Sequence, residues 1–352
     1  ASRTLVLVNG KRMVTNSYLS AAVDLNAIPF GTVERIEVLR GPQGTLYGRN
    51  TTGGLMHFLS ARPTEETEGY LDLTVAENSQ YKVEGVISGA LADTLQGRLS
   101  LAHNEHDGYV DNRGPGRNDP NNTDNNAARL QLAWQATESV DILLNAHGSK
   151  NDAEMGAWQH EATYSPDGGV TSVALPADLD VYGTCPGCDA FGYRDDDGDP
   201  WAGDYDRDGD LVIENQGGSV NLKWTGEDLT FTSITAFETF ERFYEEDTDV
   251  SPAKIVHNTY EAEIDQFTQE FRLGGESGGL NWLAGAYYYD QKTDGAFQID
   301  ASGIDYIIGD ATVTPPEHDG FYAEKVVRLP GSYQVNDRQR VIAPHNPTRT
   351  AC

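Results

Sequence analysis

From Gly69 onward, apolar and polar positions alternate with a period of two, the pattern of strands that carry one apolar and one polar face. Leu95, Leu99 and Leu101 stand opposite Gln96, Arg98 and Ser100, and Leu130, Leu132 and Trp134 stand opposite Arg129, Gln131 and Ala133. Val220, Leu222 and Trp224 oppose Ser219, Asn221 and Lys223, while Phe267, Phe271 and Leu273 share a face with Gln269 and leave Thr268, Glu270 and Arg272 on the other. Nine such segments are readable between Gly69 and Gln291, most of them about 8 to 13 residues long. Taken one strand at a time, the pattern also fits a soluble two-sheet sandwich. Three features favour a transmembrane barrel: strands longer than the usual five or six residues, Trp134, Trp224, Trp282 and Tyr288 near strand ends, and short turns (AENSQ, ADT, TES, TGED, ESGG) alternating with long excursions. Two excursions, near 108–126 and 151–218, are predicted to be long loops on one side of the sheet.

The first 62 residues differ. TLVLVNG predicts a short strand closed by an Asn-Gly turn, and VERIEVLRG a second strand whose Val33, Ile36 and Val38 turn inward while Glu34, Arg35, Glu37 and Arg40 seek polar surroundings. DLNAIP between them reads as a turn or short helix that Pro29 helps to end. The run GPQGTLYGRNTTGG then places five glycines in fourteen residues, too many for a regular helix. Together they predict a small α/β unit pinned by glycines.

Charge removes one class of partner. Among 352 residues, 25 are basic and 55 acidic, a formal net charge of -30, and the basic residues are scattered, so nucleic acid is not a partner. The 5 Trp, 17 Tyr and 11 Phe identify a folding chain and not an acidic tail. No run approaches the roughly 20 apolar residues of a membrane-spanning helix, a test that is blind to barrels. No GxSxG, P-loop, GxGxxG or HExxH motif is present and no histidine pair has ligand spacing, so the chain is not expected to be an enzyme. Two readings fit Cys185 and Cys188 in TCPGCD, a small loop disulfide or two free thiols, and the missing second pair argues for the disulfide. After them, nine aspartates between Asp189 and Asp210 face only Arg194 and Arg207, a local charge of -7. Asp204, Asp206, Asp208 and Asp210 alternate around Gly209 with the spacing of a calcium loop, although Asn215 stands where an EF-hand has its bidentate Glu. A bound calcium and a solvated acidic loop are both open at this point.

The segment VERIEVLRGPQGTLYGRNTTGG, Val33 to Gly54, closely resembles the end of the plug domain of TonB-dependent outer-membrane receptors; VLVNGKRM resembles an earlier plug strand, and EGYLDLTVAEN the first barrel strand. The resemblance implies a plug (1–62) inside an antiparallel transmembrane β-barrel, 22-stranded in that family, whose first part occupies 69–292, leaving 293–352 as a loop or irregular tail. With nine strands readable, the chain is expected to be part of a receptor. It further implies multi-pass residence in the bacterial outer membrane among lipopolysaccharide and lipids, and active uptake of a scarce solute energised by TonB with ExbB and ExbD. The family's usual cargo is a ferric siderophore; cobalamin, haem and oligosaccharides are others, and a secreted adhesin-like β-module is the reading from a different class. No cofactor is required. Glu34, Arg35, Glu37 and Arg40 are implied to bind plug to barrel wall, and Gly41, Pro42, Gly44, Tyr47, Gly48, Arg49, Gly53 and Gly54 to form an architectural turn motif.

Overall fold

The computed structural model describes residues 4–9, 11–13, 33–48, 50–116, 118–155, 158–167, 171–277, 279–301, 306–309 and 325–328. Strands β1 (Thr4–Val8), β2 (Lys11–Arg12), β3 (Val33–Arg40) and β4 (Gly54–Ser60), with the one-turn helix α1 (Gly44–Tyr47), form the plug unit. Their sheet runs β2-β1-β4-β3, with β1 and β4 parallel and the other pairs antiparallel. Alternation in β1 and β4 buries both faces: Leu5, Leu7 and Leu55 pack with Leu39 and Tyr47 on one, and Val6, Val8 and Phe58 with Met13, Val33 and Met56 on the other. The segment DLNAIP lies outside the described residues.

β3 departs from expectation. Val33 does join the core, but Ile36 and Val38 are 45 % and 58 % exposed. A register shift between Val33 and Arg35 sets Val33, Ile36 and Val38 on one side, opposite Ser60, Phe58 and Met56, while Leu39 opposite Leu55 reaches the Leu5 cluster. Because β3 is the edge of the sheet, no second strand covers that side.

The rest of the first compact unit consists of β5 (Glu68–Val75), β6 (Tyr81–Ala92), β7 (Leu95–His106), β8 (Asp111–Asn112), β9 (Thr123–Thr137), β10 (Val140–Glu154), β11 (Thr163–Tyr164), β12 (Val173–Ala174), β13 (Ala202–Gly203), β14 (Asp210–Thr225), β15 (Leu229–Asp247), β16 (Val256–Ser277) and β17 (Leu280–Ala301). Nine of these form one sheet in sequential order, β5-β6-β7-β9-β10-β14-β15-β16-β17, with antiparallel registers from β5 to β16. They are the nine segments expected from alternation, and several run further than the apolar pattern does. β9 and β10 pair Asp124 with Asp152 and Asn125 with Asn151 beyond the last apolar residues, and β14 starts at Asp210 within the expected loop. β17 continues past 292 to Ala301. Backbone pairing does not need apolar side chains, so the ladder outlasts the greasy band. The connection 76–80 also moves: Asp107 N donates to Asn78 O at 2.9 Å, placing it beside the long loops and not with the short turns.

Burial in this sheet is inverted relative to a soluble protein. Arg129 and Gln131 are 2 % and 1 % exposed, whereas Leu130 and Trp134 on the same strand are 44 % and 45 % exposed. Leu99, Leu101, Val220, Phe267 and Phe271 are exposed as well, while Ser88, Arg98, Ser100, Asn145, Glu238 and Gln266 are buried. The plug covers the polar face and the apolar face is left outside, which suits lipid on one side and a hydrophilic plug on the other. A closed sandwich core containing Leu99 and Trp134 is ruled out. In a second compact unit, β18 (Tyr306–Gly309) and β19 (Lys325–Arg328) form a two-stranded parallel pair within the tail expected to be irregular.

Candidate functional site

The plug meets the wall through polar groups. β2 follows β1 by a turn in which Asn9 takes a left-handed φ of 52°, and this turn delivers Lys11 to the wall. There its ammonium pairs with Glu238 on β15; both residues are 5 % exposed. Burial holds Lys11 below the usual lysine range, opposed by the attraction of Glu238. The second oxygen of Glu238 lies 3.0 Å from Nε2 of His147 on β10. Gly217 of β14 stands between them, in register with both. A Cβ there would run into the Glu238 carboxylate, so the glycine is what lets two side chains meet across an intervening strand.

Other contacts flank this pair. Gln266 Nε2 of β16 donates to the Arg12 carbonyl at 2.9 Å, and Arg12 Nη2 donates to the Tyr47 carbonyl of α1 at 3.0 Å. Arg129 Nη1 of β9 donates to Ser60 Oγ at 3.2 Å, and Ser60 is itself bound by Asn9, N to Oδ1 at 2.8 Å. Thr64 N donates to Ser88 Oγ of β6 at 3.0 Å. Tyr47 apart, none of these residues is a candidate site residue on sequence grounds. The available signals were an inward-parity glutamate inside TAFETF and a lysine directly after an Asn-Gly turn.

Three of the four charges implied to bind plug to wall pair with one another along β3. Arg35 pairs with Glu34 at 3.1 Å and with Glu37 at 2.9 Å, and Glu37 reaches His57 at 3.5 Å, all within the plug. The hydrogen bond from Arg35 holds the exposed Glu37 carboxyl below its usual range. Arg40 is exposed, and its carbonyl accepts from Gln43 Nε2 at 3.5 Å. In the turn motif, Gly41, Gly48 and Gly54 have φ of 83°, 73° and 144°, which an L side chain rarely adopts. Gly44 opens α1, Tyr47 packs beneath Leu5 and Leu7, Pro42 follows the Gly41 turn, and the Gly53 carbonyl accepts from Gly41 N at 3.3 Å. Thr51, nearly fully buried, donates through Oγ1 to the Gly48 carbonyl at 2.5 Å and closes the loop. Arg49 lies outside the described residues.

On the opposite side of the sheet from the short turns, the long connections are tied together. β8 and β13 pair in parallel, and the almost fully buried Tyr205 donates its hydroxyl to the Trp158 carbonyl at 3.0 Å. Burial pushes that phenol up to about 12. Arg113 binds Asp197 and lies 3.6 Å from Asp204. Cys185 and Cys188 are joined by a disulfide, Cα atoms 5.2 Å apart, before the acidic stretch. The four alternating aspartates go to separate partners. Asp204 accepts from Tyr193 Oη at 2.7 Å, Asp206 lies 2.8 Å from His257 Nε2, Asp208 accepts from Asn118 N at 3.1 Å, and Asp210 opens β14 opposite Glu154. Arg207 Nε donates to His257 Nδ1 at 3.1 Å, which leaves the ring proton on Nε2, facing Asp206. Among the described residues, no group of three or more His, Cys, Asp or Glu is arranged to hold a metal. Beside these loops a cavity of about 570 Å³ is lined by Glu105, Asp107, Asp124, Asp152 and Glu154, among others.

Residues 1–55 match the model of the TonB-dependent Receptor Plug Domain. These residues are a TonB-dependent receptor plug by that match, and the chain is similar to outer-membrane receptors of the same family. It is 29 % identical over 157 residues to the ferric enterobactin receptor of Pseudomonas aeruginosa, covering 40 % of this chain and 20 % of that one. Over 154 residues it is 25 % identical to the vitamin B12 transporter BtuB of Vibrio vulnificus, covering 44 % and 25 % respectively. Its fold is similar to the ferric yersiniabactin uptake receptor FyuA of Yersinia pestis, with a TM-score of 0.61 at 18 % identity over 85 % of this chain and 41 % of that one. The receptor segment thus spans well under half the length of these relatives. Its plug end and nine wall strands correspond to a multi-pass outer-membrane β-barrel protein.

Proposed function

We propose that this segment belongs to a receptor that takes up a scarce solute across the outer membrane, energised by TonB with ExbB and ExbD, and that its cargo is a ferric siderophore. The observation that carries the uptake reading is the polar plug seated on the polar face of a sheet whose other face is apolar and exposed. A plug held by hydrogen bonds keeps polar groups that water takes over once it has moved, as an apolar seam would not. The cargo reading is supported by the two ferric-complex receptors among the relatives named above, against one vitamin B12 transporter. Glu34, Arg35, Glu37 and Arg40 lie along the plug edge that the nine strands leave open, and we assign them to face the rest of the wall. Lipopolysaccharide and membrane lipid would surround the apolar face.

Uptake of radiolabelled ferric siderophores, cobalamin and glycans in cells with and without the full-length gene, in TonB-positive and TonB-negative backgrounds, tests the reading. TonB-dependent loss of one ferric siderophore is expected on deletion. Normal iron uptake with lost glycan or cobalamin uptake would overturn the cargo, and unchanged uptake of every solute would overturn the transport reading.

A further inference from the structure

We propose that a patch on the inner face of the wall, around Arg242, Tyr244 and Tyr260, holds an aromatic oxyanion group of the cargo, so that the ferric complex taken up is chelated by aryl hydroxyls. The proposal deepens the cargo reading above and rests on it.

Inward parity along β15 places Glu238, Phe240, Arg242, Tyr244 and Glu246 on the face that meets the plug, opposite Gln266, Ile264, Ala262, Tyr260 and Asn258 of β16. Glu238 and Gln266 hold the plug. Phe240 and Ile264, the next step along, are 7 % and 0 % exposed and close the face with Ile213. Tyr244 lies about 20 Å along the strand from Glu238, at about 3.4 Å per residue, and only three positions from Asp247, which accepts from Asp206 N of the second excursion at 3.0 Å. The patch is therefore set between the plug contacts and the long loops.

Three rings line up there across three strands. Tyr244 stacks on Tyr260 with centroids 5.6 Å apart and planes at 16°, and Tyr260 on Phe297 of β17 at 4.8 Å and 19°. These separations are close to the spacing of neighbouring strands, so the rings stand side by side and turn their edges, not their faces, away from the sheet. Ring edges carry the positive side of the aromatic quadrupole. Arg242 adds a full charge of the same sign, its Cζ 5.2 Å from the Tyr244 centroid. Among the described residues no carboxylate pairs with this guanidinium, and its Nε is buried without an acceptor. A ring alone holds the cation, which is still short of a counter-ion. An electron-rich ring bearing oxyanions suits both features: its face meets the positive edges and its oxygens meet Arg242. A neutral sugar stacks on ring faces, which this patch turns sideways, and brings Arg242 no charge. Glu246, on the other side of Tyr244 from Arg242, repels oxyanions and so directs them toward the plug.

Direct binding to the full-length receptor in detergent tests this without transport. The probes are the ferric complex of catechol, an aryl oxyanion chelate, and the ferric complex of acetohydroxamate, which has no ring. Each is titrated with radiolabelled iron. The wild type should bind the catechol complex at least about tenfold more tightly. That preference should fall to within about twofold in Arg242→Gln, which keeps a polar chain, and in Tyr260→Leu, with melting temperatures recorded alongside. No preference in the wild type, no binding of either probe, or variants that melt earlier and keep the preference would overturn the proposal. Arg242→Gln decides the matter if Tyr260→Leu does not fold. The expected preference without TonB-dependent uptake would count against the uptake reading alone. Uptake of a ferric complex by a receptor lacking the preference would overturn this inference alone.

Discussion

Replacing Glu238 by leucine should unseat the plug more than any other single change at the wall, and a double-mutant cycle with Lys11→Met gives the size of the effect. Both residues are 5 % exposed, so Glu238→Leu leaves a buried ammonium that also feels the positive field of Arg129. Breaking a buried pair from one side costs about 3–5 kcal/mol. Lys11→Met is milder, because Glu238 keeps its contact with His147 at 3.0 Å; the loss is that of a charge-assisted hydrogen bond, about 1.5–3 kcal/mol. The double variant replaces the pair by two apolar side chains of similar length and should return to within about 1 kcal/mol of the wild type. The coupling is therefore at least about 3.5 kcal/mol. The assay is a urea titration of the full-length receptor in detergent, followed by exchange of plug amides. Single variants that each cost less than about 1 kcal/mol and add without coupling would show that water reaches the pair, and the reasoning from burial would fail.

Three further outcomes follow from the geometry. Leu130→Arg, on the exposed apolar face, should cost about 2–4 kcal/mol when the receptor folds into lipid vesicles, whereas a site 44 % exposed to water would tolerate it within about 0.5 kcal/mol. Gly54→Ala should destabilise the plug by about 1–3 kcal/mol, since its φ is 144° and a Cβ would lie 2.5 Å from the Leu39 carbonyl; Gly44→Ala, with its nearest neighbour at 3.9 Å, should be neutral in the same thermal melt. At the loops, the hydrogen bond from Arg113 holds the Asp197 carboxyl below its ordinary 3.8. A depressed acid adds stability that is present above its unfolded value and lost as pH falls through the lower folded one, so the Arg113–Asp197 link should persist at pH 5 and open only below 3.8. Pepsin cleavage within 171–205, scanned against pH, should show that step, and Arg113→Ala should remove it.

The alternation of side chains determined a great deal of this receptor without tertiary information. It divided every wall strand into two faces, placed nine strands, and separated them from a glycine-rich unit whose turns need positive φ at Gly41, Gly48 and Gly54. Period two is symmetric, however, and does not say which face is buried; only the plug lying on Arg129 and Gln131 decided that Leu130 and Trp134 look outward. Strand ends were legible only as far as the apolar band, because hydrogen-bond ladders such as Asp124 opposite Asp152 carry no hydrophobic signal. Ile36 and Val38 do share Val33's side of the sheet, and their exposure comes with the place of β3 at the sheet edge, which strand order decides and local sequence does not. The wall contacts were the least legible. Lys11 and Glu238 lie 227 positions apart, and each is an unremarkable charge in its own segment. Their pairing depends on a two-residue strand, on inward parity along β15 and on the β14 glycine that lets His147 reach Glu238 from two strands away, and desolvation gives the pair its strength only once the plug has closed over it.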